Sequence, residues 1–383
     1  MNYSHYFFII TINLFLKKYL LFNKIFFSNI INITFKMPKK IIISSGINNY
    51  HMLFTASELS KRKKLFLLIC GSYPLTKYNL IISKLKFLKI ISSLINRKNK
   101  IQENLIYDLW IAEFISVVGK FFQKIFLNNT IKEKLAYISF KLFQYQSLNF
   151  LKCSKLDKIS IFHFRSGFGG KIINYLKKRN IKTLCDHGIV HPLFLSHLVL
   201  NKGTFKREQF KKLKGIYELV HNDLINSDYI LVNSEFVKKT FIKLNIPSKK
   251  IFVIYQGLEN SFSKLIPSKK KLTNNITKVL YSGNLSERKG ILDIQKSLKY
   301  LKNCKIELHL AGNIEHQTRN KIKYLMNNKN TVYHGNLDKK SLADLMFKSD
   351  IFLFPSYAEG SARVIFEAMA CGCAIITTEN SGS

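Results

Sequence analysis

Residues 359–367 read EGSARVIFE. They stand between an apolar run that ends at Phe354-Pro355-Ser356 and the small-residue stretch AMACGCA of residues 368–374. Two carboxylates eight positions apart, with Gly360 beside the first, describe a loop turning into a helix, so that both acids can face one ligand. Residues 349–354 (SDIFLF) read as a buried strand and 362–371 as a helix leaving the strand's carboxyl end. Open α/β sheets bind their ligands there.

A helix N-terminus presents unpaired N–H groups and partial positive charge, which suits phosphate. Gly360 permits close backbone approach, and ionised carboxylates accept hydrogen bonds from vicinal hydroxyls. The residues together describe a site for a sugar joined to a phosphate. Taken alone, an E-x7-E spacing more often reflects a helix-capping acid followed by a solvated one.

The surrounding text is more specific. The block SYAEGSARVIFEAMACGCAIITTENSGS (356–383) resembles the donor-site signature of retaining glycosyltransferases of family four. YSGNLSERKGILDIQKSL (281–298), LHLAGN (308–313) and VYHGNL (332–337) resemble its earlier segments in order. FHFRSG, CDHGIVHP, SDYILVNSEFVKKTF and KIFVIYQGLE match it more loosely across 158–259. The resemblance implies the GT-B fold, two Rossmann-like domains facing a cleft. It also implies a hexosyltransferase that takes a nucleotide diphosphate sugar as donor and a glycolipid or saccharide hydroxyl as acceptor.

The resemblance further implies residue roles. Glu367 would hold the ribose hydroxyls, Glu359 the donor sugar, and the Ser361 and Ala362 amides the phosphate. Lys289 and Arg288 would neutralise the leaving diphosphate, and Gly283, Asn284, Gly312 and Gly360 would line the donor site. Asn284 departs from the pattern, because the family carries an Arg there. His187 is favoured as the first domain's polar group near the donor sugar, with Asp186 as the alternative. Gly46 and Gly167 are expected on the acceptor side. Residues 165–172 (RSGFGGKI) fail the P-loop pattern, because Arg165 occupies its first glycine position and Ile172 follows Lys171.

Composition restricts the alternatives. With 383 residues and 47% hydrophobic content the chain can build two cores. The charge of +38 invites a nucleic-acid reading, yet only eight of the 61 basic residues are Arg, the residue that bidentate base and phosphate contacts require. No nucleic-acid partner is expected. Lys-rich amphipathic stretches at 84–98 and 117–126 are compatible with peripheral contact at an anionic membrane surface, and equally with helices that turn a solvated Lys face outward. Six cysteines lack metal-finger spacing, and no Asp-x-Asp pair occurs, so no metal or cofactor is required. Unpaired cysteines imply a cytoplasmic protein, at or near the inner face of the cell membrane.

Strands alternate with helical patterns from Lys40 onward, apart from a long helical region expected at 78–150. We expect an extension or weak membrane anchor at 1–36, an acceptor-side domain at 37–263, a linker at 264–276 and a nucleotide-sugar domain at 277–383. Family members continue through further helices, so this second domain is expected to be incomplete. A nucleotide-sugar epimerase on the same fold and a truncated, inactive sugar-nucleotide-binding or membrane-surface remnant are the rival readings.

Overall fold

A computed structural model describes residues 40–48, 51–75, 101–126, 129–200, 213–258, 260–265 and 276–383. The expected extension 1–36, the 84–98 stretch and most of the expected linker lie outside the described residues. The first sheet has seven parallel strands in the order β3-β2-β1-β4-β5-β6-β7. They are β1 (Lys40–Gly46), β2 (Leu65–Cys70), β3 (Ile106–Asp108), β4 (Ile159–Arg165), β5 (Lys182–His187), β6 (Tyr229–Val232) and β7 (Ile251–Val253). The second has five in the order β10-β9-β8-β11-β12. They are β8 (Thr277–Ser282), β9 (Ile306–Ala311), β10 (Thr331–Gly335), β11 (Ile351–Phe354) and β12 (Ala374–Thr377).

Strands such as β2, LFLLIC, are almost continuously apolar because a parallel sheet is covered on both faces. Helices that matter below are α1 (Met52–Lys61), α2 (Trp110–Phe126), α3 (Asn129–Lys152), α4 (Lys171–Lys177), α5 (Pro192–Leu200), α6 (Ile216–Asn226), α7 (Glu235–Ile242), α8 (Ile291–Ser297), α9 (Lys339–Phe347) and α10 (Arg363–Ala370). Each sheet has its own core: Ile42, Phe162 and Phe164 are fully buried in the first, and Tyr281, Phe352 and Phe354 in the second. Truncating Phe352 to Ala removes about 3–5 kcal/mol from such a core. Phe262 already packs in the second core, so the chain crosses between domains before the expected linker begins.

The helical reading of 78–150 needs correction over its described part, because β3 lies inside it. β3 is a three-residue edge strand, too short to show a period of two; it pairs with Leu68–Cys70, and Tyr107 stacks on Phe150 of α3 at 3.9 Å. α2 follows at once, and its buried Glu113 accepts from the Ser72 amide at 2.7 Å, pinning the helix to the loop beyond β2.

Both sheets reverse strand order once, between β1 and β4 in the first and between β8 and β11 in the second. The glycines after β1, β4 and β8 and the E-x7-E segment after β11 therefore sit at the two switch points, where the sheet opens a crevice. The two strand-end layers touch. A Cβ on Gly360 would lie 1.8 Å from the Gly188 carbonyl oxygen, and the Ser234 hydroxyl donates to the Gly360 carbonyl at 2.5 Å. Only glycine lets the two loops close to that distance.

Candidate functional site at the second switch point

β8 ends at Ser282, Gly283 follows, and the chain then forms a single turn, Glu287–Lys289, stopped by Gly290 in the left-handed region at φ 75°. A side chain at 290 would also strike the Pro355 carbonyl, at 2.1 Å. This turn is tied to the loop after β11: the Tyr357 amide donates to the Arg288 carbonyl at 2.8 Å, and the Ser356 hydroxyl does so at 3.3 Å. The buried Tyr281 phenol donates to the Asn284 carbonyl at 2.8 Å, and burial pushes its pKa far up, so it stays protonated.

These straps bring Arg288, Lys289 and Glu359 together. Oε1 of Glu359 lies 2.7 Å from the Arg288 guanidinium and 3.2 Å from the Lys289 ammonium, and accepts from the Ser356 hydroxyl at 3.2 Å. Arg288 also donates to the Ala358 carbonyl at 2.5 Å. The three charged side chains are only 31%, 18% and 14% exposed, so their charges interact in a medium drier than bulk water. Lys289 rests along Gly283, with its ammonium 5.0 Å from the centre of the Phe354 ring. Two cations against one carboxylate leave one net positive charge.

Gly312 and Gly283 are fixed by each other, since a Cβ on Gly312 would lie 2.0 Å from the Gly283 carbonyl oxygen. Beyond them α10 begins. The Ser361 hydroxyl, just before it, is buried without a hydrogen-bonding partner among the described residues. Glu367 lies half-buried in the second turn of α10. The Ala362 amide, assigned by the resemblance to a phosphate, donates instead to the Ser381 carbonyl at 3.1 Å. The switch-point end thus gathers Arg288, Lys289, Glu359, Gly360 and Ser361 into one site, with Asn284 at its edge.

The first domain spends its expected residues differently. His187 ends β5 but is buried, its Nε2 3.3 Å from the Val190 carbonyl and its Nδ1 2.8 Å from the Ser166 hydroxyl. Nε2 must therefore carry the proton and Nδ1 accept. Burial lowers its pKa to about 4, so it stays neutral. The ring that was favoured to face the donor is engaged at both nitrogens within its own domain.

The Gly167 amide is likewise engaged within its own domain. The amides of Gly167, Gly169 and Gly170 donate to the buried Asp223 carboxylate of α6 at 2.7, 2.8 and 2.7 Å. Burial pushes Asp223 up to about 6 while the three amides pull the other way. Gly46, at φ 71°, is packed under Phe168, whose ring would lie 2.4 Å from a Cβ there.

Two features had no usable signal in the sequence. Asp186, 1% exposed, accepts from His51 Nε2 at 3.0 Å and from His163 Nε2 at 3.2 Å. Burial alone would raise its pKa, but the hydrogen bonds and charges of the two histidines hold it well below the carboxylate range. His51 is 135 residues from Asp186 in the chain, and Asp223 is 53 from Gly170; no local spacing announces either pair.

Residues 263–383 match the family model described as glycosyl transferases group 1. Staphylococcus aureus CapH, a capsular polysaccharide biosynthesis glycosyltransferase, is 30% identical over 237 residues, 56% of this chain and 65% of CapH. An uncharacterized glycosyltransferase of Methanocaldococcus jannaschii is 31% identical over 208 residues, 51% of each chain. The chain spans between about half and two thirds of the length of these curated relatives. The structure of the lipopolysaccharide outer core galactosyltransferase WaaB superposes with a TM-score of 0.53 at 14% identity, covering 90% of this chain and 82% of WaaB. Residues 263–383 are thus similar to a glycosyl transferases group 1 domain, and the two sheets together have the GT-B fold that the resemblance implied.

Proposed function

We propose that the chain transfers a hexose from a nucleotide diphosphate sugar to a hydroxyl of a glycolipid or cell-surface saccharide, with retention of anomeric configuration. The observation that carries this reading is the Arg288–Lys289–Glu359 cluster, largely buried at the second sheet's switch point and one positive charge in excess. A diphosphate drawn to that excess charge competes with Glu359 for both cations. As the bond from the sugar C1 to the diphosphate oxygen breaks, the negative charge that develops on that oxygen is met by Lys289 and Arg288. The acceptor oxygen bonds to C1 on the same face, and its proton passes to the departing phosphate oxygen. Two side-chain cations supply the charge that a divalent metal supplies elsewhere, so no metal is required.

Glu367 is assigned to the ribose hydroxyls. The Ser361 hydroxyl, buried without a partner among the described residues, and the Ser361 amide are assigned to the phosphate. The acceptor class follows CapH, whose name places it in capsular polysaccharide biosynthesis. Among the described residues no helix is long and apolar enough to cross a membrane. Peripheral contact at the cytoplasmic membrane face would use α2, which exposes Trp110, Phe114, Phe121 and Ile125 on one stripe.

The test is transfer from a panel of nucleotide diphosphate hexoses to saccharide and glycolipid acceptors, with the product's anomeric configuration read by NMR. A new glycosidic bond with the donor's configuration is expected. Inverted product removes the retaining mechanism, and an epimerised nucleotide sugar formed without acceptor replaces the reading with the epimerase.

A further inference from the structure

The two domains meet where α7 of the first reaches the E-x7-E segment of the second. Ser234 precedes α7 with extended backbone, at φ −160° and ψ 161°, and its Oγ accepts from the Val237 amide at 3.2 Å, which makes it the N-cap of that helix. A serine hydroxyl has one proton to give, and here it crosses the domain boundary to the Gly360 carbonyl. Ser234 is 0% exposed and Gly360 is buried. A Cβ on Gly382 would strike both the Gly360 carbonyl oxygen and Ser234 Oγ, so the turn that ends at Gly382 closes over the bond and keeps water from replacing it. At the rim, Lys239 of α7 pairs with Glu379 of the same turn.

The bond falls on the least constrained peptide of the segment. On either side of it the chain is held within the second domain: Arg288 donates to the Ala358 carbonyl, the Glu359 amide donates to the Asn380 carbonyl at 2.9 Å, and the Ala362 amide to the Ser381 carbonyl at 3.1 Å. Gly360 has no Cβ, so the peptide that follows it can rotate at little steric cost. Ser234 takes the carbonyl of that peptide. In a planar trans peptide the C=O and the N–H point in opposite directions, so holding the Gly360 carbonyl toward α7 also fixes the direction of the Ser361 N–H, away from α7.

We propose that Ser234 is a positioning residue for the donor site: its hydroxyl locks the 360–361 peptide, so that the Ser361 amide is already aimed when the phosphate arrives. Ser234 is 126 positions from Gly360 and acts on the ligand only through this peptide. An orientation fixed in advance spares the ligand the cost of ordering the loop. The phosphate as ligand rests on the function proposed above; the lock on the peptide does not.

The test uses the full chain and three variants. Ser234→Asp still caps α7 but has no proton for Gly360, Ser234→Gly caps almost as well with no side chain at all, and Ser234→Thr keeps both bonds. Thermal melting reports whether each is folded. Hydrogen exchange of the amides at 359–362, read without ligand, should quicken about tenfold in Ser234→Asp and Ser234→Gly and stay within about twofold of the parent in Ser234→Thr, with exchange in β8 and β11 unchanged. Calorimetric titration with uridine, guanosine, adenosine, cytidine and thymidine diphosphates should give an affinity about tenfold lower in the first two variants and unchanged in the third. Exchange at 359–362 that keeps the parent rate in the Asp and Gly variants overturns the lock. Faster exchange with parent affinity overturns its role in binding, and equal losses in all three variants overturn the role of the hydroxyl proton. If no diphosphate binds the parent, the function proposed above fails while exchange still decides the lock, so the two failures are distinguishable.

Discussion

The two switch points use the same ingredients to opposite ends. In the first sheet a glycine-rich loop after β4 points three amides at one place, and the chain fills that place with its own carboxylate, Asp223. In the second sheet the loop after β8 brings Arg288 and Lys289 together, and a single carboxylate, Glu359, leaves them one charge in excess near Ser361, whose hydroxyl has no partner among the described residues. A glycine cluster at a strand end is therefore not evidence of a ligand until the charge it faces is known. One cluster is satisfied internally and serves stability; the other, in the function proposed above, keeps capacity for an anion from outside.

The largest expected effect tests the first half of that contrast. Asp223→Ala strips a shared acceptor from three amides, two of them on fully buried glycines, and should destabilise the first domain by about 3–5 kcal/mol. Thermal unfolding reads it. A variant as stable as the parent would mean that the carboxylate is not what holds the loop.

Lys289→Ala tests the second half. It should leave folding intact and lower turnover by two to three decades, about 3–4 kcal/mol of transition-state stabilisation, with a smaller rise in the donor Michaelis constant. Steady-state kinetics in which turnover is unchanged would leave Lys289 as a packing residue on Phe354.

Acid should separate the domains next. His187 and His191 have folded pKa values lowered to about 4 and about 3, chiefly by burial. Their contribution is complete above their unfolded value near 6.5 and is lost as pH falls toward 4. Asp223, raised to about 6, works in the opposite sense: its contribution is present below its unfolded value of 3.8 and fades as pH rises through 6. Two histidines outweigh one aspartate, so the first domain should unfold at a higher pH than the second on acidification. Domain-resolved hydrogen exchange that finds both equally acid-sensitive would contradict this.

These contrasts also mark what was legible in the chain. The strands of the second sheet were readable because short β-prone stretches, apolar throughout in IFLF of Ile351–Phe354 and partly so in Thr277–Ser282, are bounded by turn residues such as Gly283. The Arg288–Lys289–Glu359 cluster was half legible: its members were named, but as ligand contacts rather than as partners of one another, since contact across 71 residues has no local mark. β3 was hidden by its brevity at a sheet edge. The occupant of the glycine nest and the His51–Asp186–His163 group were hidden by sequence distance, because a buried polar group finds its partner through topology rather than spacing. The Ala362 amide was lost to the turn at 379–381, whose carbonyl reaches it only once β12 is in place.

The smallest expected effect is the most selective. Ser361→Ala removes a buried hydroxyl that bonds to nothing among the described residues, so stability should hold while nucleoside diphosphate affinity falls by about 1 kcal/mol. A stability loss with unchanged affinity would place the hydroxyl in the core rather than in the site.

The central claim, that the second switch point is built for a diphosphate from outside, is tested most directly by calorimetric titration of uridine, guanosine, adenosine, cytidine and thymidine diphosphates into the chain and into its Lys289→Ala variant. The account predicts that at least one binds with a single site and that the variant binds it at least about tenfold more weakly. Binding of none of them, or equal affinity in the two proteins, would contradict it.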